Sequence, residues 1–175
     1  LSDEIASKTI TFIAPSKTFN VSGLSSSVAI IPDENLRKKF VSTLDHLHIG
    51  LGNIFGNVAM EAAFTHGDEY VDALMEYLAG NVALVETYLS EHIPQIKPVT
   101  PEATFLVWLN CREMGMTDKE LNDFFINKAH LALNQGIQFG PGGEGFMRMN
   151  IGCTRAKLLQ ALEQLKLAFS NLSIS

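Results

Sequence analysis

The sequence has 175 residues, of which 46% are hydrophobic and 18% are charged, as in an ordinary globular protein. Its net charge of -6 at pH 7 gives no electrostatic support for a nucleic acid or an anionic membrane as a partner. No apolar run approaches the length of a transmembrane helix. Cys111 and Cys153 lie far apart without a nearby ligand pattern, which predicts free thiols in a reducing compartment and no zinc site.

The first elements are a short helix and a strand. Ser2 is suited to cap the helix, with Asp3 and Glu4 in its first turn. The β-branched and aromatic residues 9–13 predict a buried strand, which Pro15 ends.

Lys17 follows this strand and precedes a run of small residues, 22–27, and a second apolar strand, 28–31. An amine must be neutral to attack a carbonyl, and partial desolvation lowers the pKa of an amine. A lysine at the mouth of a sheet, surrounded by hydroxyl groups, is therefore a Schiff-base candidate. The alternative is a solvated loop lysine, which is the usual state of this residue type.

Three helices are predicted next. Asp33 caps a helix that extends to about residue 47, a helix rich in small residues covers 54–65, and a long helix covers 68–92. The small-residue helix is suited to close packing against a neighbour or across a dimer. At 1.5 Å per residue the long helix measures roughly 37 Å, enough to bridge two domains.

A second module begins after the proline-containing connection 94–101, because strands and helices then alternate. We place the domain boundary at Gly80, in the long helix, which divides the sequence into residues 1–80 and 81–175. The second module is predicted to contain strands and capped helices, namely a strand at 104–109, a helix with a Thr117 and Glu120 capping box, a strand at 146–151 and a last helix capped by Thr154.

Arg148 lies on the predicted strand 146–151. Period two places Met147 and Met149 on one face and Arg148 on the other, where its planar fork could bind a carboxylate through two hydrogen bonds. The alternative is a charge on an edge strand. The preceding Gly140 to Gly145 matches GxGxxG, but a strand follows it instead of a helix, so we predict a glycine-rich turn.

Two segments carry a family resemblance. Ala-Pro-Ser-Lys-Thr-Phe-Asn at 14–20, followed by the small residues and Val-Ala-Ile-Ile-Pro, closely resembles the lysine segment of pyridoxal-phosphate enzymes of the class I/II aminotransferase superfamily, in particular its cystathionine β-lyase (C–S lyase) branch. The segment 140–153 resembles the carboxylate-binding arginine segment of that family. The resemblance covers essentially all of the sequence, but only the C-terminal part of such an enzyme.

This resemblance implies the α/β fold of fold-type I pyridoxal-phosphate enzymes. Residues 1–80 would form the end of the large cofactor domain with the start of the interdomain helix, and residues 81–175 would form a small α+β C-terminal domain. Lys17 would hold pyridoxal 5'-phosphate and take the Cα proton of an amino-acid substrate, and Arg148 would fix the α-carboxylate. A cytoplasmic homodimer is expected.

The reaction implied is β-elimination from cystathionine or cysteine-type substrates, giving pyruvate, ammonia and a thiol. An aminotransferase is the alternative within the family, and a non-catalytic binding or dimerisation module is the alternative outside enzymes. Aminotransferase motifs usually carry a Ser three residues before the lysine and an Arg eight after it, both on the cofactor phosphate. This sequence has Ala14 and Ser25 there, which argues against an ordinary aspartate-type aminotransferase.

Several residues are candidates for binding the phosphate and the pyridine nitrogen of the cofactor. Ser16, Thr18 and Ser25 are either phosphate donors or turn-forming hydroxyls. Asp3 lies in an Asp-Glu-Ile segment similar to that of the family's pyridine-nitrogen aspartate, but a parallel crossover needs about a dozen residues, and only six separate Asp3 from Ile10. We therefore expect the pyridine partner to lie upstream of this sequence.

Overall fold

A computed structural model describes residues 2–50 and 52–172. The chain divides into two compact units, Leu1–Leu74 and Met75–Ser175. The boundary at Gly80 predicted from the sequence lies further along the same long helix.

The first unit contains a two-stranded ladder and helices. Helix α1, Asp3–Ala6, begins after Ser2, whose hydroxyl accepts a hydrogen bond from Ile5 N as predicted. Strands β1, Thr11–Ile13, and β2, Val28–Ile30, pair antiparallel. Helices α2, Glu34–His46, and α3, Ile54–His66, follow.

The predicted burial of the first strand is wrong. All three residues of β1 are exposed, and the Phe12 side chain keeps 61% of its accessible surface. The physical reason is the size of the ladder: β1 has one neighbouring strand, and the one ring against Phe12 is Phe40 on α2, 6.0 Å between centroids. The apolar sequence thus predicts the strand correctly but does not predict whether other residues pack over it.

Polar side chains begin the helices of this unit. Asp33 Oδ1 accepts a hydrogen bond from Leu36 N at 2.7 Å, which confirms it as the cap of α2. Asn53 caps α3 by accepting from Phe55 N at 3.1 Å. Each cap satisfies a backbone donor that has no partner within its helix. Helix α4, Asp68–His92, has the predicted bounds and continues into the second unit.

The second unit is built on a four-stranded antiparallel sheet. Its strands are β3, Lys97–Val99, β4, Leu106–Asn110, β5, Asn134–Gln135, and β6, Phe146–Asn150, in the spatial order β3-β4-β6-β5. The central pair, β4 and β6, was predicted, whereas the two short outer strands were not. Their brevity gives no periodic signal.

Three helical segments join this sheet with the last part of α4. Helix α5, Asp118–Asp123, has the predicted capping box, because Thr117 and Glu120 bond reciprocally. A π-helical turn, Phe124–Lys128, continues it. Helix α6, Arg155–Leu172, starts after Thr154, whose hydroxyl accepts from Lys157 N at 3.4 Å. Among the described residues no helix combines the length and apolarity needed to span a bilayer.

The core lies on one face of the sheet. Met147 and Met149 of β6 are buried, as period two predicts, and so are Val107 and Leu109 of β4. The helices contribute further fully buried side chains, among them Val85, Leu89, Leu121, Phe125, Leu158, Leu162 and Leu165. The opposite face of the sheet consequently carries Trp108 and Arg148.

Candidate active site

Lys17 lies on a tight turn directly after β1. The turn is closed by backbone hydrogen bonds from Phe19 N to Pro15 O, 2.9 Å, and from Val21 N to Ser16 O, 3.1 Å. The Lys17 side chain is exposed, and its Nζ donates to Ser22 Oγ at 3.4 Å. The desolvation expected from the sequence is therefore not provided by the described residues.

Ser22 holds the lysine side chain on one side of the turn. Its hydroxyl donates to Ser16 O at 3.0 Å while it accepts from Lys17 Nζ. Ser22 was not among the residues predicted for the site, although its position in the small-residue run after Lys17 was a usable signal. A residue five positions after a lysine reaches it only when the chain folds back, and the sequence alone did not reveal that turn.

The predicted phosphate donors lie in the same region. Among the hydrogen bonds of residues 2–50 and 52–172, none uses the side-chain hydroxyls of Ser16, Thr18 or Ser25. Ser25 has φ 51°, in the left-handed region, and ends the short 3-10 helix Ser22–Leu24. The three hydroxyls thus have no hydrogen-bond partner in the part of the chain that the structure describes.

The small-residue run is pressed against helix α3. A Cβ at Gly56 would lie 1.9 Å from Ser26 Oγ and 2.8 Å from Leu24 O, so the close approach requires glycine. Asn53 Nδ2 also donates to Leu24 O at 3.1 Å. Helix α3 thus fixes the loop that carries Ser22 and Ser25.

Phe19 anchors the other end of the lysine turn. Its ring meets Phe64 edge to face at 5.8 Å and stacks with Tyr70 at 6.4 Å. A Cβ at Gly67 would lie 2.3 Å from this ring, so the junction between α3 and α4 makes room for it. The turn is therefore supported from α3 and from the start of α4.

Arg148 lies in the second unit, on the face of the sheet opposite the core. It stands directly opposite Trp108 of β4 and Asn134 of β5. Arg148 Nη2 donates to Asn134 Oδ1 at 3.0 Å, and the guanidinium carbon lies 4.4 Å from the centre of the Phe139 ring. Nε is enclosed without a partner among the described residues.

A cleft of about 240 Å³ is lined by Trp108 and Phe139, which both neighbour this arginine. Three aromatic side chains line it, with Trp108 edge to face against Phe139 at 5.3 Å and against Phe146 at 6.1 Å. The rest of the lining comes from the predicted glycine-rich turn and from Gly136. We call this the aromatic cleft.

Arg112 and Asp118 fix the glycine-rich turn. Arg112 donates from Nε to Glu144 O at 3.0 Å and from Nη2 to Gly142 O at 3.2 Å. Asp118 accepts from Gly145 N at 2.8 Å. Because Gly145 has φ +75°, the turn also requires its glycine there.

Gly136 and Gly143 make a backbone-to-backbone contact in the wall of the cleft. A Cβ at Gly136 would lie 2.2 Å from Gly143 O, and a Cβ at Gly143 would lie 2.1 Å from Gly136 O. Neither position accepts a side chain without movement of the main chain.

Asn81 joins helix α4 to the segment that follows β6, and sequence reasoning missed it. This fully buried amide donates to Ile151 O at 2.9 Å and to Cys153 O at 3.1 Å. Its Oδ1 accepts from Arg155 Nε at 3.1 Å, and Tyr77 OH accepts from Arg155 N at 2.7 Å. A polar residue within an apolar helical stripe was the available signal.

Comparison with known proteins connects both regions to one family. No protein-family profile matches the chain. Cystathionine beta-lyase PatB of Bacillus subtilis is 41% identical over 170 residues, which are 97% of this chain and 44% of PatB. The chain belongs to the pyridoxal-phosphate-dependent aminotransferase superfamily.

Solved structures give the same assignment to this superfamily. A pyridoxal-phosphate-bound protein from Clostridium difficile 630, named as an aminotransferase, matches with a TM-score of 0.90 and 38% identity, over 95% of this chain and 43% of that one. Cystalysin from Treponema denticola, which contains the cofactor, matches with a TM-score of 0.91 and 32% identity, over 98% and 43%. The chain has the fold of a C-terminal part of a fold-type I enzyme and spans less than half the length of these relatives.

Proposed function

We propose that this protein is a pyridoxal-phosphate-dependent C–S lyase, which eliminates a thiol from cystathionine or a related β-thio amino acid and yields pyruvate and ammonia. One observation carries the proposal: Lys17 presents an exposed primary amine in a hydroxyl-rich turn, in a chain similar to a cystathionine beta-lyase over nearly its whole length.

The residues around Lys17 fit this cofactor. A covalent anchor needs an accessible amine, and Lys17 Nζ has one hydrogen bond among the described residues, to Ser22. A phosphate needs donors, and the hydroxyls of Ser16, Thr18 and Ser25 have no partner within residues 2–50 and 52–172. Lys17 would hold the cofactor, and those three hydroxyls would supply donors to its phosphate.

Pyridoxal phosphate supplies an electron sink that makes the substrate's Cα proton acidic. Lys17 Nζ would take that proton. Loss of the proton would allow the Cβ–S bond to break with its electron pair on sulfur, which would leave as a thiolate. The remaining three-carbon enamine is hydrolysed to pyruvate and ammonia.

Arg148 would bind the α-carboxylate of the substrate. Its guanidinium donates one hydrogen bond to protein among the described residues, so further N–H groups remain for an anion. Charge-assisted bonds from a planar fork hold a carboxylate in a fixed orientation. That orientation would place the Cα–H bond for proton removal.

Elimination and transamination begin with the same proton loss, and the leaving group decides between them. A barrier difference of about 1.4 kcal/mol suffices for a tenfold preference. Ser25 in place of the phosphate-binding arginine of ordinary aminotransferases supports the lyase, as does the 24% identity of the aspartate aminotransferase of Pyrococcus horikoshii against 41% for PatB. An aminotransferase is the second candidate, and a non-catalytic dimerisation module is the third.

We further propose a homodimer located in the cytoplasm. Helix α3 supports the dimer, because it carries exposed apolar side chains, with Ile54 at 76%, Phe55 at 78% and Val58 at 63%. Cys111 and Cys153 are both free thiols, which supports a reducing compartment. Sedimentation of a Phe55→Asp variant tests the dimer, and a monomeric variant is the expected result.

Product analysis tests the reaction. The protein at its full natural length is loaded with pyridoxal phosphate and given cystathionine, with and without a keto acid. Pyruvate, ammonia and thiol are expected in equal amounts without the keto acid. Turnover that requires the keto acid and releases no thiol would instead identify an aminotransferase. No turnover with any amino acid, and no borohydride-fixed cofactor on Lys17, would leave the non-catalytic module.

A further inference from the structure

The Arg148 side chain is held from two directions by residues outside its own strand. Asn134 Oδ1 accepts from Nη2 at 3.0 Å, and the Phe139 ring faces the guanidinium with 4.4 Å between the guanidinium carbon and the ring centre. Separations within about 6 Å give a favourable cation–π contact. The arginine is therefore fixed both in the guanidinium plane and perpendicular to it.

Phe139 is itself positioned by a second aromatic contact. It is 50% exposed at the end of the 3-10 helix Gly136–Phe139, yet its ring meets Trp108 edge to face at 5.3 Å. Trp108 stands opposite Arg148 in the β4–β6 register and also touches Phe146. An exposed aromatic ring in this position is supported by the sheet.

We propose that Phe139, together with Asn134, is a positioning residue that pre-orients the Arg148 fork for a ligand carboxylate. The inference rests on the proposed function of Arg148 as the carboxylate-binding residue. It adds that the residues around Arg148 set how strongly the site discriminates a carboxylate from an uncharged group.

The donors that remain on Arg148 agree with this role. Nε is enclosed and Nη2 already has one protein acceptor, whereas Nη1 donates to no described residue and is not enclosed. The accessible edge of the fork is thus formed by Nη1 with the second hydrogen of Nη2. Rotation about the Cδ–Nε bond would turn these donors away from a ligand. The Phe139 ring and the hydrogen bond to Asn134 oppose that rotation.

Fixing the fork before binding lowers the entropy cost of binding. An arginine side chain loses rotamer freedom when it takes a ligand, at about 0.5–1.5 kcal/mol per immobilised side chain. A side chain that is already held loses less. Removal of the ring should weaken binding of ligands that have the carboxylate and leave ligands without it unaffected.

Paired ligands test the proposal with the cofactor-loaded protein at its full natural length. The first ligand is S-methyl-α-methylcysteine, and the second is the amine in which a methyl group replaces its carboxylate, so that neither ligand has a Cα proton to lose. Their dissociation constants are measured by titration calorimetry, so that the readout does not depend on turnover. The ratio of the two constants reports carboxylate discrimination.

The Phe139→Leu variant is expected to raise the dissociation constant of the amino acid about fivefold, which corresponds to about 1 kcal/mol, and to leave that of the amine unchanged. Phe139→Tyr retains the ring and should keep the dissociation constant of the unchanged protein. Asn134→Ala should give a carboxylate-specific loss of similar size. The matched control is Ile137→Ala, on the same short helix and 43% exposed, which should change neither constant.

The outcomes separate this inference from the proposed function. One outcome is that Arg148→Lys selectively weakens binding of the amino acid while Phe139→Leu and Asn134→Ala do not. In that case the positioning role is overturned and Arg148 remains the carboxylate-binding residue. If Arg148→Lys leaves the ratio of the two dissociation constants unchanged, Arg148 does not bind the carboxylate. The positioning role is then overturned as well. Thermal unfolding of each variant identifies any loss of fold. If Phe139→Leu does not fold, the result with Asn134→Ala alone decides whether the positioning role holds.

Discussion

Asn81 and Arg155 are joined by a hydrogen bond of 3.1 Å between Oδ1 and Nε, although 74 positions separate them in the sequence. The same amide donates to Ile151 O and Cys153 O. One buried side chain therefore connects helix α4 to the segment between β6 and α6, which begins three residues after Arg148.

Asn81→Ala is expected to lower the free energy of unfolding by about 2–4 kcal/mol, because it leaves the buried Ile151 carbonyl without its donor and Arg155 without its acceptor. Urea denaturation measures the change. Asn57→Ala, an exposed asparagine in helix α3, is the control and should stay within about 0.5 kcal/mol. Equal effects of the two substitutions would contradict a structural role for the Asn81 network.

Lys17→Ala is expected to abolish turnover while the protein keeps its fold, because it removes both the cofactor anchor and the Cα base. Borohydride reduction followed by peptide mapping should find the cofactor on Lys17 in the unchanged protein. Lys8→Ala is the matched control, since Lys8 is an exposed lysine of the same unit, paired with Glu4 at 2.9 Å. A reduced cofactor found on any other lysine refutes the assignment.

Cys111 and Cys153 should differ in reactivity. Burial raises the pKa of the Cys111 thiol to about 12, and this side chain is only 2% exposed. Burial also raises the pKa of Cys153, but Lys157 opposes that shift, and the residue is half-buried. Because the thiolate is the reactive form, iodoacetamide at pH 8 should label Cys153 well before Cys111.

Mass spectrometry of the native protein over time measures this order. Labelling in urea provides the control, because both thiols should then react at similar rates. Faster labelling of Cys111 in the native state would contradict the burial of its side chain.

The capping box of α5 predicts a pH dependence. The Thr117 hydroxyl, and then the Thr117 backbone N–H, hold the pKa of Glu120 below its ordinary value. Because the folded protein favours the carboxylate, this contribution to stability is present above the ordinary pKa and is lost as the pH falls through the lowered one.

A carboxyl NMR titration measures the shift, and Thr117→Ala should return the Glu120 pKa part of the way, since the backbone donor remains. In unfolding experiments the difference between the protein and Glu120→Gln should shrink on acidification. Glu61→Gln, on the exposed side of α3, is the control. A pKa that does not respond to Thr117→Ala would exclude the hydroxyl as the cause.

Local patterns predicted much of the fold. The alternation around Arg148 was confirmed by buried Met147 and Met149, and the caps at Asp33 and Thr117 were confirmed by their hydrogen bonds. These features depend on residues within a few positions of one another. The sequence therefore contains the information that they require.

Contacts between distant residues were not predictable in the same way. The acceptors of Asn81 lie 70 and 72 positions away, and Phe139 meets Arg148 only because the glycine-rich turn folds back. The exposure of Phe12 shows the same limit, because hydrophobicity indicates that a residue favours burial but does not identify what covers it. The roles of Lys17 and Arg148 came from the family resemblance and stay predictions.

The glycine pair in the wall of the aromatic cleft restricts how this protein can evolve. At Gly136 and Gly143 the obstacle to a side chain is a carbonyl of the opposite main chain, so no second substitution among neighbouring side chains can make room for it. Substitution of either glycine is therefore not expected to be tolerated. Variation in the shape of the cleft among descendants should be concentrated in Trp108 and Phe146, whose rings can be exchanged while the backbone stays in place, whereas Phe139 also contacts Arg148.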